Sequence, residues 1–240
     1  MLITLTLCAV LTSIISGVIG MGGGVLLLAI MTFFVSYELL IPIHGIVQLV
    51  SNSSRTFYLR KNIRLDFFIP FLIGAPFGFI LAYFILRGFK LTNYYYLILG
   101  LFVLYNVFKP KYKTEIRLQK KGWALLGFFA GIQGSLIGVT GPLIAPFYLR
   151  TDISKEEVVA TKAMQQIITH FLKIPLFLSL DFDYFKHFNI IILMSTAALI
   201  GTFYGVKLLA HIDHLLFRRL YRSVLFLAAL KLLFKFGSAL

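Results

Sequence analysis

Apolar residues run along the chain in long blocks, broken at short intervals by glycine, proline or charge. Reading the blocks as helical spans gives 2–20, 25–36, 40–59, 67–86, 94–108, 123–137, 143–149, 156–178, 188–210 and 216–236. Several approach the ~20 residues that cross a bilayer core as an α-helix. Two, 25–36 and 143–149, are too short, and each follows a glycine-rich interruption. The third block carries His44, Gln48, Ser51, Asn52 and Arg55; the eighth carries Lys162, Gln166, Thr169, His170 and Lys173. Both sets fall at i, i+4, i+7, i+8 and i+11, one face of an α-helix. A polar stripe on an apolar membrane helix is expected to face the bundle interior or water, because lipid contact is costly.

Composition narrows the class. Of 240 residues 59% are apolar and 13% charged, and mean hydropathy is +0.90. A water-soluble domain is about a quarter charged, so this chain has too little polar surface to wrap one core. Its 23 Lys and Arg against 9 Asp and Glu give a net charge of +14. In a lipid-embedded chain that excess reads as topology and lipid contact rather than nucleic-acid binding. The single cysteine, Cys8, excludes a disulfide framework and a cysteine-based zinc site. No Lys or Arg precedes Arg55, so the first block lacks the basic start of a cleaved leader.

Loop charge sets the expected orientation. Lys109, Lys111, Lys113, Arg117, Lys120 and Lys121 share one linker with a single Glu115, the strongest cytoplasmic mark in the chain. Counting spans from there puts Arg60, Lys61 and Arg64 inside, Asp181 and Asp183 outside, and Arg218 and Arg219 inside. The Arg87–Lys90 turn would lie outside, against the trend.

The chain also repeats itself. Gly20 and Gly138, Gly23 and Gly141, Glu38 and Glu156, and Gln48 and Gln166 are identical pairs at one offset (138 − 20 = 118; 166 − 48 = 118). Later, Gly74 and Gly78 answer Gly201 and Gly205 at an offset of 127. Each half has an odd number of crossings, so the halves are expected to be inverted relative to each other, a common transporter plan. The expected fold is an all-α membrane protein: a polytopic helical bundle of two inverted repeats with glycine-broken helices. Residues 1–110 form the first repeat, 111–121 a basic cytoplasmic linker, and 122–240 the second repeat.

The glycine runs are Gly17 to Gly24 and Gly134 to Pro142. So much glycine, with a proline, breaks a helix, and broken backbone in lipid has to be buried or line a wet cavity. The short blocks would then start near mid-membrane, with free N–H groups facing a cavity that suits an anion. Close helix packing by small residues is the alternative, and it is the expected role of Gly74–Gly78 and Gly201–Gly205. The candidate site comprises Gly22, Gly23, Gly24, Gln48, Asn52, Arg55, Thr140, Gly141, Gln166, Thr169, His170 and Lys173. Gln48 and Gln166 sit deepest. Arg55 and Lys173 either touch substrate or snorkel to the surface. His170 is a candidate proton carrier. All nine carboxylates fall in loops or near segment ends, and Glu38 and Glu156 are expected to cap helix starts. Donors and cations without a carboxylate suit a small oxyanion. No metal, cofactor or catalytic set converges, so an enzyme is not expected.

These residues resemble the TauE/SafE sulfite-exporter family. The resemblance rests on a glycine-rich break near the start of each half, Gly-x-Gly-Gly-Gly (Gly20, Gly22, Gly23, Gly24) and Gly-x-x-Gly-Pro (Gly138, Gly141, Pro142), and spans nearly the whole chain. Thr140 stands where the family favours glycine, and Leu28 where the second half keeps Pro146. The resemblance implies a multi-pass carrier in a bacterial or archaeal inner membrane. It would export sulfite, sulfonates or related sulfur oxyanions by alternating access, with no cofactor and no nucleic acid. An anion channel, or a carrier for another small organic anion, is the rival reading.

Overall fold

The structure, a computed structural model, describes residues 2–19, 22–88, 92–108, 115–208 and most of 226–237. Gly20, residues 109–114 of the linker, Arg218, Arg219 and most of the tenth block lie outside the described residues. The described chain is all helical: α1 (Leu2–Ile19), α2 (Gly23–Met31), α3 (Tyr37–Tyr58), α4 (Leu65–Gly88), α5 (Thr92–Phe108), α6 (Lys120–Leu136), α7 (Gly141–Ile144), α8 (Lys155–Leu178) and α9 (Phe188–Lys207). Their bounds follow the apolar blocks closely. The short block at 143–149 differs: it is one α turn, α7, followed by a 3-10 turn over Ala145–Tyr148. Among the described residues, two stretches are long and apolar enough to cross a membrane, α4 and Phe185–Lys207. The stripes keep α3 and α8 out of that class, although both have the length.

The burial pattern is inverted relative to a soluble protein. On α4, Ile69, Ile73, Phe77, Ile80 and Phe84 form an exposed apolar face, while α3 buries His44, Gln48, Ser51, Asn52 and Arg55. Such an exterior suits lipid, and polar groups turned inward are the arrangement that lipid favours. One apolar cluster gathers Leu27, Leu40, Ile43 and Leu99; a second is built on Trp123, stacked on Phe67 at 4.6 Å.

Glycine sets the closest helix pairs. α1 packs on α9 and α4 on α6. A methyl on Gly17 would lie 2.8 Å from the Gly205 Cα, and one on Gly201 or Gly205 would press on the Val10 or Ile14 carbonyl. Gly74 and Gly78 likewise have only the α6 backbone opposite, at Ala124 and Phe128. Small residues let the two backbones touch. In both pairs the contacts climb together along the sequence, so the partners run parallel.

Between these pairs, α3 and α8 run antiparallel. The His44 and His170 rings meet edge-on at 5.9 Å, and Arg64, just past the end of α3, lies 3.7 Å from Glu157 at the start of α8. The same end gathers other charges. Arg64 bonds Asp66, Arg150 bonds Asp152, and both guanidinium groups lie over the Phe67 ring. The Thr151 amide and hydroxyl donate to Glu115 at 2.9 and 2.7 Å. The chain thus enters through α6 and returns through α7 to the face it left.

α8 starts with a capping box, in which the Glu157 amide donates to the Ser154 hydroxyl and Glu157 reaches back to the Ser154 amide. The capping carboxylate is therefore Glu157, whereas Glu156 was expected. The Ser-x-x-Glu spacing reaches only the third helical residue.

Candidate functional site

Both glycine runs interrupt the helical path. α1 ends at Ile19 and α2 opens at Gly23, after Gly22 at φ 93; α6 ends at Leu136 and the chain turns at Gly138, at φ 92. A side chain at either φ would be strained, so glycine is required there. Side chains take up carbonyls at the second turn and at the start of α2. Lys173 Nζ donates to the Gly138 carbonyl at 2.5 Å, Gln133 Nε2 to Val139 at 2.9 Å, and His44 Nε2 to Gly24 at 2.8 Å.

A narrow cavity of about 20 Å³ lies where the two turns approach each other. Its wall draws on both halves of the chain. Gly22, Gly24 and Val25 come from the first turn and the start of α2; Val139, Thr140 and Gly141 come from the second turn. α3 contributes His44, Gln48 and Arg55, α8 contributes Gln166 and His170, and α1 contributes Ser16. The two glutamines hold matching positions. A methyl on Gly24 would sit 3.0 Å from Gln48 Oε1, and one on Gly141 would sit 3.0 Å from Gln166 Nε2. Each carboxamide therefore lies against a glycine in the first turn of the short helix of its own half.

Arg55 is 2% exposed. Its Nη1 donates to Asn52 Oδ1 at 3.2 Å and its Nη2 to Ser51 Oγ at 3.3 Å; its Nε–H is buried without a partner. Asn52 in turn donates to the Gln48 carbonyl at 2.8 Å, and Ser51 shares a hydrogen bond with Thr202 of α9. Among the described residues no carboxylate lines the cavity. A buried guanidinium with only neutral partners presents an unbalanced positive charge to it.

Of the residues expected at the site, Gly22, Gly24, Gln48, Arg55, Thr140, Gly141, Gln166 and His170 line the cavity; Gly23, Asn52, Thr169 and Lys173 stand beside or behind it. Gly23 faces α1, where a methyl would meet the Thr12 carbonyl and the Ser16 side chain. Thr169 donates to the Gln166 carbonyl at 3.0 Å and lies 3.4 Å from the Thr140 hydroxyl. Neither Arg55 nor Lys173 reaches the surface. Lys173 instead takes a third role, holding the Gly138 carbonyl and His170 Nδ1, the latter at 3.0 Å. The sequence reading left out Ser16 and Val139, and gave His44 a place on the stripe without a role. Ser16 had no signal, because its counterpart at offset 118 is Gly134.

The profile of the sulfite exporter TauE/SafE family matches residues 5–232. The chain belongs to the TauE/SafE family. No curated protein and no solved structure matches it. TauE/SafE membership implies a membrane transporter of sulfur anions.

Proposed function

We propose that this chain carries sulfite, a sulfonate or a related sulfur oxyanion out of the cell across a bacterial or archaeal inner membrane, by alternating access. The anion would sit between the two glycine turns. Gln48 and Gln166 would donate from opposite halves, and the first N–H groups of α2 and the Thr140 hydroxyl would add further hydrogen bonds. The carrying observation is the Arg55 guanidinium, buried at a donor-lined cavity with an unpaired Nε–H and no carboxylate beside it. An oxyanion supplies both the acceptor and the charge.

The inverted-repeat reading draws support from exchanged packing. α1 and α6 open the two halves, α4 and α9 follow as the fourth segment of each, and the contacts run α1 to α9 and α6 to α4. Antiparallel α3 and α8 meet between them. Two such halves around one site can exchange conformations and so exchange access. A cell interior negative by 100 mV favours anion export by ~2.3 kcal/mol per charge. Export therefore needs no coupling ion. The basic linker and the rim at Arg64 and Arg150 would face the cytoplasm.

Sulfite and sulfonate efflux from proteoliposomes tests the reading. Gln48→Ala and Gln166→Ala are each expected to slow efflux with the fold retained. Unchanged flux in both would remove the glutamines from the site, and single-channel currents without saturation would replace a carrier with a channel.

A further inference from the structure

The inference concerns His44 and rests on the anion-carrier reading above. His44 is fully buried in the cavity wall. Its Nε2 lies 2.8 Å from the Gly24 carbonyl. A carbonyl only accepts, so Nε2 carries the hydrogen. In a neutral imidazole the other nitrogen is then a bare acceptor, and Nδ1 of His44 has no hydrogen-bond partner. His170 is held in the matching tautomer. Lys173 Nζ lies 3.0 Å from His170 Nδ1, and an ammonium only donates, so Nδ1 accepts there and Nε2 carries the hydrogen.

The rest of the wall consists mainly of donors: the Arg55 Nε–H, the carboxamides of Gln48 and Gln166, the Thr140 hydroxyl and the His170 Nε2–H. A carboxamide or a hydroxyl can turn a hydrogen toward an anion, whereas a neutral His44 has only a lone pair at Nδ1. Beside an oxyanion it would face oxygen lone pairs with nothing between them, and the anion would be repelled. One proton removes the conflict. It converts Nδ1 into a donor to the anion, or it sits on the anion as a hydroxyl that donates to Nδ1. The two forms have the same composition.

The charged and titratable groups facing His44 decide the order of events. Lys173 and His170 face it from α8, and Arg55 lies three turns along its own helix. The Lys173 stem passes close by, since a methyl on Gly45 would lie 3.1 Å from its Cδ. α2 presents the Gly24 carbonyl and the second glycine turn the Gly138 carbonyl, and neither adds a titratable side chain. With Lys173 nearby and no carboxylate among the described residues of the wall, an added positive charge on the empty site is opposed. The charge of an arriving anion offsets that opposition.

We propose that this protein binds its sulfur oxyanion together with one proton, held at Nδ1 of His44. The proton comes from solvent and arrives with the anion. The favoured class is an oxyanion that accepts a proton near neutral pH, as sulfite does. Sulfate, which stays unprotonated there, would have to be met by an imidazolium.

Calorimetric titration of the purified full-length protein with sulfite tests this. It is run above the second ionisation of sulfite, in two buffers of different ionisation enthalpy, so that proton uptake is counted. The expected result is one proton taken up per sulfite bound, with affinity falling about tenfold per pH unit in that range. His44→Gln keeps a donor for the Gly24 carbonyl and is expected to bring the count to zero; His170→Gln is expected to keep it. Sulfite bound by the wild type without proton uptake overturns the proposal and leaves the carrier reading standing. A count that survives His44→Gln, or that His170→Gln abolishes, overturns the assignment to His44. Should His44→Gln fail to fold, His44→Asn takes its place, and a count that survives it overturns the assignment. No sulfite binding by the wild type sinks the carrier reading as well.

Discussion

Gly24→Ala and Gly74→Ala separate a glycine that borders the cavity from one that lets helices touch. At Gly24 the new methyl lies 3.0 Å from Gln48 Oε1 and 3.3 Å from its Cδ. That neighbour is the flexible end of a side chain, and it can yield a few tenths of an ångström. Alanine also favours a helix over glycine by about 1 kcal/mol in an interior position. The two effects nearly cancel, so folding is expected to change by less than about 1 kcal/mol. At Gly74 the methyl meets the Ala124 carbonyl of α6. Backbone cannot yield without moving a helix, and such overpacking costs about 1–3 kcal/mol. Flux should rank the other way. Displacing the Gln48 carboxamide from a bound anion removes a hydrogen bond to a charge, worth about 1.5–3 kcal/mol. Sulfite flux in Gly24→Ala should therefore fall about tenfold or more. Trp123, the single tryptophan, is buried in α6 against Phe67 of α4 and reports unfolding of that helix pair by fluorescence. The assay is thermal unfolding in detergent followed by efflux from proteoliposomes. Gly24→Ala unfolding as early as Gly74→Ala, or passing sulfite at the wild-type rate, would refute the reasoning.

Other outcomes follow from single contacts. Lys173→Met leaves the Gly138 carbonyl buried without its ammonium and is expected to cost about 1–3 kcal/mol, read by denaturant unfolding. Ser154→Ala removes the capping box of α8 and should cost about 0.5–2 kcal/mol in the same experiment. At the charged rim, the Arg150 hydrogen bond holds the Asp152 carboxyl at about 2, and hydrogen bonds from Thr151, then Arg117, hold Glu115 below the usual carboxylate range. A lowered carboxylate stabilises the fold above its ordinary pKa and loses that contribution as pH falls through the lowered value. Asp152's contribution should therefore be intact above its ordinary 3.8 and be lost as pH falls through about 2. Arg150→Ala should lack that contribution, so that it is less stable than the wild type above pH 3.8 and loses less stability than the wild type between 3.8 and about 2 on acid titration.

Helix positions were largely legible because apolar blocks, glycine runs and charged loops mark them directly. The stripes on α3 and α8 were legible for the same reason, since helical periodicity places their members on one face whatever the partner. What they face was not. That His44 meets His170 edge-on depends on the antiparallel approach of helices more than a hundred residues apart, which no local pattern encodes. Lys173 shows the limit most clearly. From sequence it was a substrate contact or a surface-seeking cation. Only the left-handed turn at Gly138 creates the stranded carbonyl that it binds. Glu157 lies one residue beyond the duplicated Glu38–Glu156 pair, and its role is marked by the local Ser-x-x-Glu spacing from Ser154, not by the repeat.

The exchanged helix pairs bear on how the molecule is made. α1 is synthesised before α9, the neighbour its glycines fit, which emerges only after every helix between them. The nascent chain must therefore hold its opening helix with that groove unfilled through most of translation. Contacts between such distant positions also make folding slow. Neither half carries its own closest packing partners, so a chain cut at the linker should yield two fragments that depend on each other, recovering a native bundle when co-expressed and failing when made alone.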